Sequence, residues 1–101
     1  MPEPDTTPLR AGIAQFAADP ADLDANFETH RHWIAEAKRE GIDFLLMPEV
    51  SLTGHYGVFR LLDFAMKRTD PRLRALSTLA GDMTICVGFI EEGPGAQFYN
   101  T

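Results

Sequence analysis

Four consecutive apolar residues, Phe44-Leu45-Leu46-Met47, run directly into Pro48-Glu49. This stretch restricts the fold more than any other. A run so short, set between turn signals, reads as a strand buried on both faces, the pattern of a parallel sheet wrapped by helices. Pro48 has no N–H to give to a neighbouring strand, so pairing should weaken there. Glu49 then stands at the strand's carboxyl end, the edge where open α/β sheets bind ligands. A carboxylate half-buried at that edge could act as a base near neutral pH. The alternative is a loop acid pointing at water, the ordinary fate of a carboxylate. Thr53-Gly54 turns the chain away.

The flanking segments alternate as a parallel sheet requires. Residues 1–8 carry three prolines and two acids and read as a disordered or loosely attached leader. Residues 9–16 form a first strand centred on Ile13 and Ala14, broken at Asp19-Pro20. A helix follows to about residue 40, capped either by Asp19 with Pro20 in its first position or by Asp22. Leu23, Phe27, His30, Ile34 and Ala37 fall on one helical stripe, and Glu28, Arg31, His32, Glu36 and Arg39 fill the other faces. Gly41 suits the left-handed position past a helix end. Residues 59–66 have the apolar bias of a short helix or of an ordered loop over the site. Asp70-Pro71 opens a second amphipathic helix carrying Leu73, Leu76, Leu79 and Ala80, stopped by Gly81. Residues 83–90 are a strong strand and 91–95 a turn, and Phe98-Tyr99 opens a further strand that the chain does not complete. The order predicts α/β architecture: parallel βαβ units with a final hairpin, in one domain spanning 9–101.

At 101 residues the chain has room for one modest core. Its net charge of −6 argues against nucleic acid or an anionic membrane as partner. No apolar run approaches the roughly 20 residues that cross a bilayer. The acidic N-terminus lacks the positive region of a signal peptide. The single cysteine, Cys86, excludes an internal disulfide and suits a reducing cytoplasm. Mid-strand, with no helix N-terminus behind it, Cys86 is expected to be buried and inert. His30 lies on the apolar stripe and reads as a core or edge histidine rather than a ligand. His30 and His32 are two apart, on different sides of the helix, and cannot share a metal. No Cys/His cluster has zinc spacing, and Gly54-His55-Tyr56-Gly57 lacks both the spacing and the lysine of a phosphate loop. No metal or cofactor is expected.

The strand with Pro48-Glu49, the short apolar link and Thr53-Gly54 resembles the first catalytic segment of the nitrilase superfamily of carbon–nitrogen hydrolases. Residues 10–16, ending in Gln15-Phe16, are similar to that family's first strand, and Asp24-Ala25-Asn26-Phe27 to the start of its first helix. Val87-Gly88-Phe89 and Tyr99-Asn100-Thr101 resemble the strand and the Tyr-Asn-Ser/Thr segment downstream. The resemblance implies an αββα sandwich and a Glu-Lys-Cys mechanism in which Glu49 is the general base. It implies hydrolysis of a small amide or nitrile through a thioester, and a homodimer or larger assembly. It also implies that the lysine and the nucleophilic cysteine lie outside this chain, since nitrilase-like domains run to well over twice its length. Residues 9–101 are thus expected to be the N-terminal part of a truncated domain, inactive alone. His55 and Tyr56 follow the catalytic segment, where the family often has Gly-Tyr. They could line the pocket mouth as substrate-binding groups or be a surface histidine and a half-buried tyrosine.

Two rival classes remain. A response-regulator-like domain would need an acid near Leu46 and an acidic pair where Gln15-Phe16 stands, and without them it has no Mg²⁺ site. A non-catalytic fragment, or half of a split enzyme acting as a binding or assembly module, is compatible with the missing lysine and cysteine.

Overall fold

The computed structural model describes residues 6–20, 22–55 and 61–101. Three short strands, β1 (Ala11–Ile13), β2 (Phe44–Leu46) and β3 (Thr84–Cys86), form a parallel sheet in that order, with β2 central. Ala11 pairs with Phe44 and Phe44 with Thr84, while Ile13, Leu46 and Cys86 share the last register position. The ladder runs one step further, from Ala14 N–H to Leu46 O (3.0 Å) and from Met47 N–H to Cys86 O (2.9 Å). It stops at Pro48, which has no hydrogen to offer.

Parallel strands need crossovers, and helices α1 (Leu23–Arg39) and α3 (Pro71–Ala80) supply them. Asp22 caps α1, its carboxylate accepting from Ala25 N–H at 2.9 Å, which decides between the two predicted caps. Asp70 caps α3 ahead of Pro71, accepting from Arg72 N–H (2.9 Å) and from the Arg72 guanidinium (2.9 Å). That guanidinium holds the Asp70 carboxyl below the usual carboxylate range. It also lies 5.1 Å from the centre of the Phe27 ring, so the cap of α3 is stacked on α1. Gly41 follows α1 at positive φ (69°), as predicted, and Gly81, the predicted stop of α3, also has positive φ (64°).

Both helices lie on one face of the sheet. Phe27, Ile34 and Ala37 of α1 and Leu76 and Ala80 of α3 close over Ala14, Leu45 and Met47 in a single core. Leu79, expected on the inner stripe, points outward. The expectation that β2 is buried on both faces is corrected: Leu45 and Met47 are buried, but Leu46 is 39% exposed. The far face, which carries Ile13 (72% exposed), Leu46 and Cys86, has no described layer over it. Cys86 is therefore exposed rather than buried, because its register position points away from the helices.

The predicted strand over residues 83–90 is two elements. After β3 the chain leaves the sheet, and β4 (Ile90–Gly93) takes most of the predicted turn. A single 3₁₀ turn, Pro94–Ala96, leads into β5 (Gln97–Asn100), which pairs antiparallel with β4 along its length. The last strand is thus partnered, and the predicted hairpin is present with its turn shifted. The helical bias near residues 59–66 shows as a short helix, α2 (Leu61–Phe64), followed by a one-residue bridge from Met66 to Glu91.

The bare apolar face generates a stability prediction. The 101-residue segment expressed alone is expected to self-associate through Ile13, Leu46 and their neighbours. Sedimentation showing a monodisperse monomer at micromolar concentration would show that this face is not adhesive.

Candidate active site

Glu49 lies just beyond the carboxyl end of β2, the central strand. Its surroundings are built from buried backbone. Residues 50–54 form a tight turn in which Val50, Ser51, Leu52, Thr53 and Gly54 are all buried. Val50, immediately after Glu49, has φ of +44°. For a β-branched residue this is a strained conformation, costing on the order of 1–3 kcal/mol. Gly54 N–H closes the turn onto Val50 O at 2.7 Å, and Leu52 N–H is bound by Gly88 O at 2.8 Å. Burial of Val50 and Leu52, about 1.5–3 kcal/mol for each side chain, outweighs the strain.

A buried polar network fixes the turn to α1 and to the strand beyond β3. Ser51 Oγ donates to His30 Nε2 (2.8 Å) and accepts from Gly88 N–H (3.0 Å). His30 Nδ1 lies 2.6 Å from Asn26 O, and since a carbonyl can only accept, Nδ1 carries the hydrogen. Asn26 Nδ2 donates to Leu52 O (3.0 Å) and Asp19 O (2.7 Å), and its Oδ1 accepts from Asp19 N–H (2.7 Å). Burial pushes the His30 pKa down, against the smaller raising effect of its contact with Asn26 O. Of the core and edge positions its stripe allowed, His30 takes the core one.

Position 88 has room only for glycine. A Cβ there would stand 2.5 Å from Val50 N and 3.0 Å from Pro48 O, both backbone atoms. The chain leaves the sheet at this point in order to pass against the Glu49 turn.

Glu49 itself is exposed, not half-buried. Its Oε1 accepts from Asn100 Nδ2 at 2.7 Å. Two clefts meet at the residue and share Leu46, Met47, Pro48 and Glu49. One, about 480 Å³, extends along Ile13, Gln15 and Phe16. The other, about 250 Å³, extends along Cys86, Gly88 and Asn100. Neither is lined by a lysine or arginine among the described residues. A depression of about 520 Å³ between residues 67–69 and 91–96 is charged, but its groups are paired, Arg68 with Glu91 (3.1 Å) and Lys67 with Glu92 (3.9 Å). Those partners leave it poorly suited to a substrate.

His55 is exposed just past Gly54. Tyr56 lies outside the described residues. Sequence reasoning had matched Asn26 and Asn100 to a family pattern without a role for either. Ser51, a small polar residue in an apolar link, gave no signal on its own.

Two predictions follow from the network. Gly88→Ala must displace the Glu49 turn, because both colliding atoms are backbone. It should destabilise the protein by more than about 1 kcal/mol, the scale of overpacking, and an unchanged melting temperature would contradict the close approach. The second concerns pH. A histidine with a lowered folded pKa contributes stability in full above its unfolded value of about 6.5. That contribution is lost as pH falls from there toward the lower folded value. Melting temperature should therefore drop between pH 7.5 and 5.5, and less steeply in His30→Gln. Equal slopes in calorimetry would exclude His30 as the source.

The carbon–nitrogen hydrolase family model matches residues 10–101. The chain is similar to the structure of a glutamine-dependent NAD(+) synthetase from Cytophaga hutchinsonii, with 25% identity and a TM-score of 0.72 over 91% of this chain and 16% of that one. It is similar to the glutamine-dependent NAD+ synthetase from Acinetobacter baumannii, with 22% identity and a TM-score of 0.66 over 87% of this chain and 17% of that one. It is also similar to an amidase from Nesterenkonia sp., with 24% identity and a TM-score of 0.66 over 87% of this chain and 34% of that one. The chain spans 16% to 34% of the length of these three. No curated protein matches the sequence. Among the described residues no helix is long and apolar enough to cross a membrane.

Proposed function

From the premise that this chain belongs to the carbon–nitrogen hydrolase family, we propose that the complete protein hydrolyses a small amide and that Glu49 is its general base. One observation carries the reading: a carboxylate stands at the end of the central parallel strand, with its turn fixed by buried hydrogen bonds and its side chain open to two clefts. A rigid turn under an accessible carboxylate is what proton transfer to a bound reactant needs.

In this mechanism a cysteine from outside the chain attacks the amide carbon. Glu49 takes the thiol proton as the carbon–sulfur bond forms. It passes the proton to the leaving nitrogen as the carbon–nitrogen bond breaks, then takes a proton from the water that attacks the thioester and returns it to the sulfur as the carbon–sulfur bond breaks, releasing the acid. A lysine, also from outside the chain, stabilises the oxyanion. Cys86 stays outside the chemistry: it ends β3, and Val87-Gly88 follow it without opening a helix behind the sulfur. An amide is favoured over a nitrile because the similar structures are an amidase and two glutamine-dependent enzymes, and glutamine carries a side-chain amide. His55 and Tyr56 are assigned to the pocket mouth, and the complete protein to the cytoplasm as a homodimer or larger assembly.

Glu49→Gln in the complete protein should lower kcat/KM for ammonia release from glutamine or short aliphatic amides by at least about 10²-fold, the usual scale of a lost general base. Circular dichroism and melting should barely change, because Glu49 is exposed and outside the core. Glu28→Gln, on the solvated face of α1, is the control. Retention of more than about a tenth of wild-type kcat/KM, a loss under ~1.4 kcal/mol, would remove Glu49 from this role.

A further inference from the structure

We propose that Asn100 is a positioning residue for this carboxylate: its amide holds Glu49 Oε1, so that Oε2 is the oxygen that exchanges the proton. The inference rests on the reading of Glu49 as the base. The 2.7 Å contact from Asn100 Nδ2 is in the range of a charge-assisted hydrogen bond. A glutamate side chain has several rotatable bonds, and on an exposed turn nothing else described restrains this one. Fixing such a chain costs rotamer freedom. One good hydrogen bond to a charged group can offset that loss. An amide does not titrate near neutral pH, so Asn100 orients the carboxylate without competing for its proton.

The donor is anchored to the same turn as the acceptor. Asn100 pairs with Ile90 across the β4–β5 hairpin, and the next step of the ladder, Phe89 with Thr101, is closed by two bonds (2.9 and 3.0 Å). Ile90 N–H is bound by Thr53 Oγ1 (3.3 Å), four residues after Glu49. Thr101 Oγ1 donates to Glu91 (2.9 Å), steadying the residue after Asn100. Glu49 and Asn100 thus belong to one closed hydrogen-bonded circuit, and the hairpin has a use beyond packing.

The test is a double-mutant cycle on the complete protein, with ammonia release from glutamine or a short aliphatic amide as the readout. Asn100→Ala should lower kcat about 10- to 100-fold, the scale of a misplaced catalytic group, with KM within about twofold, since the amide is engaged with Glu49 rather than held free for a substrate. Asn100→Asp keeps the shape but turns an oxygen toward the carboxylate, and should cost more. It also serves if the alanine variant does not fold. In Glu49→Asp the shorter side chain cannot keep the bond, so adding Asn100→Ala should cost less than about twofold further. Equal losses in both backgrounds, a loss in KM alone, or no loss would overturn the assignment. A dead Glu49→Gln with an additive cycle sinks the role of Asn100 alone, whereas an active Glu49→Gln sinks the base reading and this one with it.

Discussion

The hydroxyl of Ser51 is the point on which the site depends. It is fully buried, gives its hydrogen to His30 and receives one from Gly88. One atom thereby joins the first helix, the turn after the central strand and the chain leaving the third strand. Each bond is worth only about 1 kcal/mol net, but a buried partner left unsatisfied costs about 1–3 kcal/mol. The arrangement is therefore all-or-none in character. His30 must stay neutral to accept from Ser51, Gly88 must lack a side chain to come near enough to donate, and Asn26 must turn its amide to Leu52 O. The strained Val50 is tolerated because this network and the burial around it leave the turn no alternative.

The parts of this structure that were legible in the sequence are those governed by local rules. Asp22 and Asp70 sit before their helices, Gly41 and Gly81 just after them, and Phe27, His30, Ile34 and Ala37 recur at helical spacing. The apolar run ending at Pro48 gave the central strand and placed Glu49 at its end. The misreadings share a cause. Apolar character says that a residue is fit to be covered, not that a layer covers it, so Leu46 and Cys86 were expected inside and are outside. Residues 83–90 read as one strand because nothing local shows that Gly88 has to leave the sheet to meet backbone some 40 residues earlier. The hydrogen bond from Asn100 to Glu49 spans 51 positions and has no periodic trace at all. A resemblance points to each residue singly, and the fold brings them together.

The candidate site and the bare sheet face are not separate features. Leu46 and Cys86 belong to the exposed face, and both line the smaller cleft at Glu49. Ile13, on the same register position, lines the larger one. Any layer that covers these three side chains therefore also walls the clefts and withdraws water from the carboxylate between them. The interaction of Glu49 with Asn100, modest in open solvent, strengthens as the effective dielectric around it falls. Burial of the face and sharpening of the site are then one event, driven by the apolar area of residues that take no part in the chemistry. That coupling gives a physical reason for a carboxylate proposed as the base to lie on the rim of an apolar face. The turn is fixed in advance by Ser51, His30 and Gly88, and the environment that makes it effective comes with the packing of the sheet.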